Sequence, residues 1–247
     1  MSDEPKQLMK VKVSSHKVTP IPIEKDSDEP ILGADWFEKP YANLFLLAKK
    51  FSGKTTVIAN ILARCAGPKT KFIFIVSTIN KDPIWIEILK LLDKDRYVAY
   101  TSINEDGVNI IDQFVDESEK QVIKWNHNYP RFIIVMDDQG KKMRDNAVAR
   151  LTKNNRHHKS MVIMSAQSLT DLHPETITQL DYTLMFDRIP VPKVYDLYEK
   201  LDLSMDYDTF LKDYTDATKK PFGFLYISRS GAKDELRDGF TEKYNNV

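Results

Sequence analysis

The chain has 247 residues, and its 36 Lys+Arg balance 36 Asp+Glu to give no formal net charge. That balance excludes a global electrostatic pull toward nucleic acid, so any such contact must come from a local basic patch. The single cysteine, Cys65, excludes an intrachain disulfide, and apolar runs of about five residues fall far short of the ~20 needed to span a bilayer.

Residues 1–30 are rich in Lys, Asp, Glu, Ser and Pro, without periodicity or an apolar signal core. They read as a flexible or extended arm of a soluble protein in a reducing, intracellular compartment. Within the arm, Val18–Ile23 is suited either to pair as an edge strand or to dock on a neighbour. The globular domain is expected over residues 31–229. Trp36, Phe37 and Tyr41 lie just ahead of its first strand, where packing in the core or against the arm is favoured over stacking on adenine.

Leu44–Leu47 is a continuous apolar run, as expected of a strand buried on both faces. It leads directly into Ala48-Lys49-Lys50-Phe51-Ser52-Gly53-Lys54-Thr55-Thr56, the phosphate-cradling pattern GxxxxGK[ST] with Ala48 in place of the first glycine. Backbone N–H groups of such a loop wrap a β-phosphate, Lys54 reaches the β- and γ-phosphates, and the Thr55 hydroxyl holds Mg²⁺. The helix that follows carries Val57, Ile58, Ile61, Leu62 and Cys65 at helical spacing and stops at Gly67-Pro68. Its positive end faces the same phosphates. Alanine at 48 places a Cβ where glycine usually supplies conformational freedom, so a slightly reshaped loop is expected.

Further apolar runs follow at Phe72–Val76, Tyr97–Tyr100, Phe132–Met136, Met161–Met164, Tyr182–Phe186 and Phe222–Ile227. Helical stretches separate most of them, among them the stripe Ile111, Val115, Ser118, Val122 and Trp125, with Asp116–Lys120 on its outer face. Alternating strands and helices predict an α/β fold, a mainly parallel sheet flanked by helices. Residues 230–247 are polar and read as a loosely held C-terminal tail.

Phe132–Met136 ends in Asp137 and Asp138. A carboxylate at the tip of such a strand orients Mg²⁺ in P-loop enzymes, and that role falls to Asp137. Asp138 stands where additional-strand ATPases carry a glutamate that polarises the attacking water. The interval from Lys54 to Asp137 contains two strand candidates, an arrangement of RecA-like ATPases. Asp137-Asp-Gln-Gly140 matches the GTPase switch motif DxxG, but a guanine-reading NKxD is missing: Asn80-Lys-Asp-Pro83 has proline at the required acid. Met161–Gln167 is a strand ending in an amide that can donate and accept, suited to sensing a γ-phosphate. His157 and His158 are adjacent, so their side chains diverge, and no third metal ligand stands at a suitable spacing. Lys141, Lys142 and Arg144 form either a solvated face or a pore lining that touches phosphates.

These elements, with Asn155-Arg-His-His158 ahead of the sensor strand, resemble the genome-packaging ATPases of virophages, poxviruses and other large DNA viruses, in the FtsK–HerA branch of P-loop ATPases. The similarity runs from about Asn43 to Phe186, with an extension to Ile227 also compatible with it. The resemblance implies a RecA-like P-loop ATPase, dependent on ATP and Mg²⁺, that drives double-stranded DNA into a preformed capsid. It also implies a homo-oligomeric ring (pentamer or hexamer), contact with capsid proteins, no membrane, and work at the virus assembly site in host cytoplasm. An arginine from the adjacent subunit would complete each catalytic site; Arg156 is the leading candidate, with Arg150 and Arg188 as rivals. The alternatives are another DNA-translocating or helicase-like ATPase and a nucleotide-binding structural protein with little turnover.

Overall fold

In the computed structural model, which describes residues 31–122, 130–231 and 233–244, β1 (Asn43–Leu47) is buried along its whole length. Its apolar run alternates between two cores: Phe45 and Leu47 face one layer, Leu44 and Leu46 the other. The chain continues through α1 (Lys54–Cys65), β2 (Lys71–Val76), α2 (Pro83–Leu91), β3 (Tyr97–Tyr100) and the short hairpin β4 (Asn104–Glu105) and β5 (Val108–Asn109). Next come α3 (Ile110–Val122), β6 (Phe132–Asp137), α4 (Asn146–Asn154), β7 (Ser160–Ala166), α5 (Pro174–Thr178) and β8 (Tyr182–Phe186). The last elements are α6 (Val191–Leu201), α7 (Tyr207–Ala217), β9 (Phe224–Ser228), β10 (Glu235–Asp238) and β11 (Glu242–Lys243).

The main sheet has the order β11-β10-β9-β8-β1-β7-β6-β2-β3. From β8 to β3 the neighbours are parallel, and β9 to β11 add an antiparallel margin. One face is covered by α1 and α2 through Ile58, Ile61, Leu62, Cys65 and Trp85. The other is covered by α3 to α7, through residues such as Val115, Leu151, Ile177, Leu197 and Phe210. Each fully buried Leu, Ile or Phe stabilises the fold by about 1.5–3 kcal/mol, so the two layers hold the strand ends rigidly. The expected α/β, mainly parallel architecture is what forms.

Three details differ from the sequence reading. The strand candidates between Lys54 and Asp137 are β2 and β3, which lie beyond β6; the strand that separates β1 from β6 is β7, from later in the chain. The run Phe222–Ile227 begins its strand only at Phe224, because Phe222 has a positive φ of 64°. Finally, 230–247 is not wholly a tail. β10 pairs with β9, Leu236 is fully buried, and the Phe240 ring stacks on Trp36 with centroids 4.0 Å apart. Trp36 and Phe37 are thereby occupied in packing, away from any nucleotide. The arm at 1–30, with Val18–Ile23, and Trp125 lie outside the described residues.

Gly33 tests the packing under α1. It has φ +78°, and a Cβ there would lie 2.5 Å from Cys65 Sγ. That sulfur cannot retreat, since burial encloses it and pushes the thiol pKa up to about 11. Gly33→Ala should therefore lower the unfolding free energy by about 2–4 kcal/mol, combining left-handed strain with overpacking, as read by denaturant titration.

Candidate functional site

The loop 48–53 connects β1 to α1, and Lys54 opens the helix with Gly53 as its N-cap at φ 84°. No acidic residue stands in the first turn of α1, so the helix itself offers no charge to offset its positive end. Ala48 is buried, and its N–H bonds to Ala166 O of β7 at 3.0 Å. The conformational freedom of glycine is needed elsewhere than expected. Ala48 is absent from the positive-φ residues, whereas Phe51, within the same loop, has φ 62°.

A cavity of about 420 Å³ lies over this loop. Its walls include every residue from Ala48 to Thr56, together with Asp137, Asp138 and Gln167. The structure thus gathers the proposed phosphate loop, both carboxylates and the sensor amide at the same end of the sheet. Lys54 Nζ lies 2.5 Å from Asp137 Oδ1 and 2.9 Å from Asp138 Oδ1, and donates to Ser165 Oγ at 3.3 Å. Burial disfavours the ammonium charge, but the Asp137 and Asp138 carboxylates outweigh it and hold the Lys54 pKa above its ordinary value.

Asp137 has two further partners that the sequence did not announce. Ser165, paired with it in register across β6 and β7, donates its hydroxyl to Asp137 Oδ1. Trp85 of α2, fully buried, donates Nε1–H to Asp137 Oδ2 at 3.3 Å. The carboxylate plane is therefore fixed from the neighbouring strand and from a helix. Trp85→Phe keeps the aromatic packing and removes this donor. With Asp137 as the expected Mg²⁺ ligand, hydrolysis should fall about tenfold, the usual effect of losing a partner that orients a metal ligand, with the loss read in the Mg²⁺ dependence of phosphate release.

The side-chain donors of the cavity wall that could meet a metal are hydroxyl and carboxylate oxygens, among them those of Thr55, Asp137 and Asp138, which suit Mg²⁺ rather than a softer metal. Among the described residues no three His, Cys, Asp or Glu side chains form a metal cage. Mg²⁺ needs none, because it binds through one or two protein oxygens plus substrate phosphates and water. Thr55 and Asp137 fit that requirement.

Other sequence candidates fall elsewhere. Asp82 caps α2, accepting from Ile84 N–H at 2.9 Å, and Pro83 takes the first helical position. The NKDP stretch is thus a helix start, which gives a physical reason for its failure to match NKxD. His158 is buried with Nδ1 2.9 Å from Ser118 Oγ; it ties α3 to the foot of β7. Burial lowers its pKa, keeping the ring neutral. Arg156 lines a separate polar cavity of about 290 Å³ with Lys153, Asp181 and Arg229. That cavity lies at the start of β1, β7 and β8, the opposite end of the sheet from Lys54. Arg150 is engaged by Asp112 and Asp116, while Arg188 donates to Lys50 O of its own chain's loop at 3.3 Å. Lys141, Lys142 and Arg144 lie on a 3₁₀ turn just past β6 and are exposed.

Residues 34–189, more than half of the chain, match the model of the family described as Poxvirus A32 protein. No curated protein sequence matches. The genome packaging NTPase B204 from Sulfolobus turreted icosahedral virus 2, in complex with AMP, superposes with a TM-score of 0.55 at 17% identity, covering 80% of this chain and 97% of that one. The DNA-packaging ATPase B204 from Sulfolobus turreted icosahedral virus gives 0.54 at 16% identity, over 80% of this chain and 97% of that one. EssC (ATPases 2 and 3) from Geobacillus thermodenitrificans gives 0.53 at 13% identity, over 83% of this chain and 40% of that one. At such identities the likeness is one of fold, and that fold is the P-loop ATPase sheet with β7 inserted between β1 and β6. Among the described residues no helix is long and apolar enough to cross a membrane.

Proposed function

This chain belongs to the Poxvirus A32 protein family, and on that premise we propose that it is an ATP-hydrolysing motor that packages double-stranded viral DNA into a preformed capsid as a homo-oligomeric ring. The observation that carries the reading is the convergence of Lys54, Asp137, Asp138 and Gln167 on one cavity over the phosphate loop. A structural α/β domain would have no need of a buried lysine between two adjacent carboxylates.

In this reading the loop N–H groups and Lys54 bind the β- and γ-phosphates of ATP. Thr55 and Asp137 would hold Mg²⁺, which would supply positive charge at the phosphate oxygens. Lys54 transfers its hydrogen bonds from Asp137 and Asp138 to phosphate, and that transfer frees Asp138 to accept a proton-bearing contact from the attacking water. Water adds to the γ-phosphorus as the bond to the bridging oxygen breaks, and ADP and phosphate leave. Gln167, at the exposed end of β7, reports whether the γ-phosphate is present. Arg156 sits at the far end of its own sheet, so it reaches a phosphate only in a neighbouring subunit, as a trans-acting arginine must. Such a residue is worth about 10³–10⁵ in rate. The ring form, the capsid contact and action at the virus assembly site all belong to this proposal. So does a pore-lining role for Lys141, Lys142 and Arg144.

Steady-state hydrolysis with and without DNA tests it. A packaging motor hydrolyses ATP faster when double-stranded DNA is added. A helicase-like enzyme responds instead to single strands and separates a duplex. A structural nucleotide binder turns over little with either, and that outcome would end the motor reading.

A further inference from the structure

Two phenylalanines beside the phosphate loop occupy left-handed backbone conformations, and both rings face solvent. Phe51 has φ 62° and is 92% exposed; Phe222 has φ 64° and is 64% exposed. A residue with a Cβ pays conformational energy for that geometry, and a solvent-facing ring returns little of it through packing. Phe222 stands third in the turn Lys220–Gly223, closed by Gly223 N–H on Lys220 O at 3.0 Å. Pro221 occupies the second position, and the third position of such a turn, with positive φ, ordinarily calls for glycine. Local turn chemistry therefore does not account for a phenylalanine there.

The position of the ring does. A Cβ built on Gly53 would lie 3.1 Å from Phe222 Cδ1, so the ring rests against the N-cap of α1. Strand order fixes how a ligand would run across this point. Asp137, Asp138 and Gln167 stand at the ends of β6 and β7, to one side of β1. Thr78, Asp82 and Ile84 close the cavity on the side of β2 and α2, so with a terminal phosphate facing the carboxylates the ends of β8 and β9 are the side left for the sugar and base. The turn holding Phe222 leads into β9, and Arg188, just after β8, donates to Lys50 O of the loop at 3.3 Å.

We propose that Phe222, which borders the cavity across Gly53, is the shelf on which the base of the bound nucleoside triphosphate stacks, with Phe51 in the cavity wall. The proposal rests on the reading of the cavity as a triphosphate site and adds what that reading leaves open, the selection of the base. A phenyl ring offers area and no hydrogen-bonding pattern, and stacking tolerates any base according to its size. The site should accordingly favour purines over pyrimidines without separating adenine from guanine.

Equilibrium binding by the full chain, with Mg²⁺ present, tests this against ATP, GTP, CTP and inorganic tripolyphosphate. ATP and GTP should bind within about threefold of each other and about tenfold more tightly than tripolyphosphate, with CTP between. Phe222→Gly suits the turn, so its thermal midpoint should not fall; it should keep tripolyphosphate affinity and lose the purine advantage. Phe222→Trp should enlarge that advantage. The shelf is refuted if Phe222→Gly retains the full purine advantage, if Phe222→Trp leaves it unchanged, or if the wild type holds tripolyphosphate as tightly as ATP. Those outcomes leave the phosphate cradle standing. A wild type that binds neither ATP nor tripolyphosphate overturns the triphosphate site itself, and the shelf with it.

Discussion

Lys54→Ala should abolish measurable ATP hydrolysis and also lower the unfolding free energy of the nucleotide-free protein by about 3–5 kcal/mol. The two effects share a cause. The Lys54 side chain is 10% exposed and that of Asp137 3%, so the ammonium is the counter-charge to a carboxylate that water barely reaches. Asp137 cannot turn away, because Ser165 and Trp85 hold it from two directions. Removing Lys54 leaves the carboxylates of Asp137 and the adjacent Asp138 without their shared counter-charge. With Asp137 in its proposed metal-holding role, added Mg²⁺ should restore much of the lost stability, because it would bind the folded carboxylates and not the unfolded chain. It should not restore hydrolysis, because no lysine then bridges the β- and γ-phosphates. Lys54→Met fills the space of the side chain without its charge and should behave as Ala does, which separates charge from cavity. The pH dependence has a definite sign. The folded pKa of Lys54 lies above its ordinary value of 10.5, so the stabilisation is fully present below 10.5 and fades only as pH rises through the raised value. Denaturant titrations with and without Mg²⁺, beside phosphate-release assays, measure both effects. Equal stability of Lys54→Ala and wild type without Mg²⁺ would show that the buried pair contributes nothing.

The parts of this site that could be read from sequence are those where chemistry is local. Ala48–Thr56 is contiguous, so strand, loop and helix start announce themselves together, and Asp137 and Asp138 close a strand whose apolar run is unbroken. Strand order was legible only in outline. Two candidates precede Asp137 in sequence, yet the strand inserted beside β1 is β7, because order in space follows from crossover connections and not from succession along the chain. Trp85 and Ser165 reach Asp137 from distant segments, and nothing in their neighbours distinguishes them from ordinary core residues. β10 was hidden because Glu235-Leu236-Arg237-Asp238 buries one apolar side chain in a polar run, a pattern too sparse to separate from a tail. The demand for glycine-like freedom falls on Phe51 instead of Ala48, since the chain at 48 is still tied to β7 by its N–H, and the tight bend comes afterwards.

Asp138→Asn should preserve nucleotide binding and reduce the rate of hydrolysis by about 10²–10⁴-fold, the range for loss of a positioned base. The backbone makes this an unusually clean substitution. Asp138 has φ 52°, in the left-handed region where Asp and Asn are both tolerated. Asparagine therefore changes the charge while keeping the conformation. The same constraint offers a reason for aspartate where related ATPases carry glutamate: a longer side chain has no local backbone hydrogen bond to offset left-handed strain. Asp138→Glu should for that reason be slower than wild type despite retaining the carboxylate, and Asp138→Ala should add strain to the loss of the acid. The side chain is 33% exposed, so losing its contact with Lys54 should cost stability no more than about 1 kcal/mol. Single-turnover hydrolysis at saturating ATP, beside calorimetric binding, separates the chemical step from affinity. An Asn variant that hydrolyses at the wild-type rate would move the water-orienting role to the remaining polar group on that side of the cavity, Gln167. A neutral amide there could align water but could not take its proton, so hydrolysis would then rest on charge stabilisation at the phosphate alone.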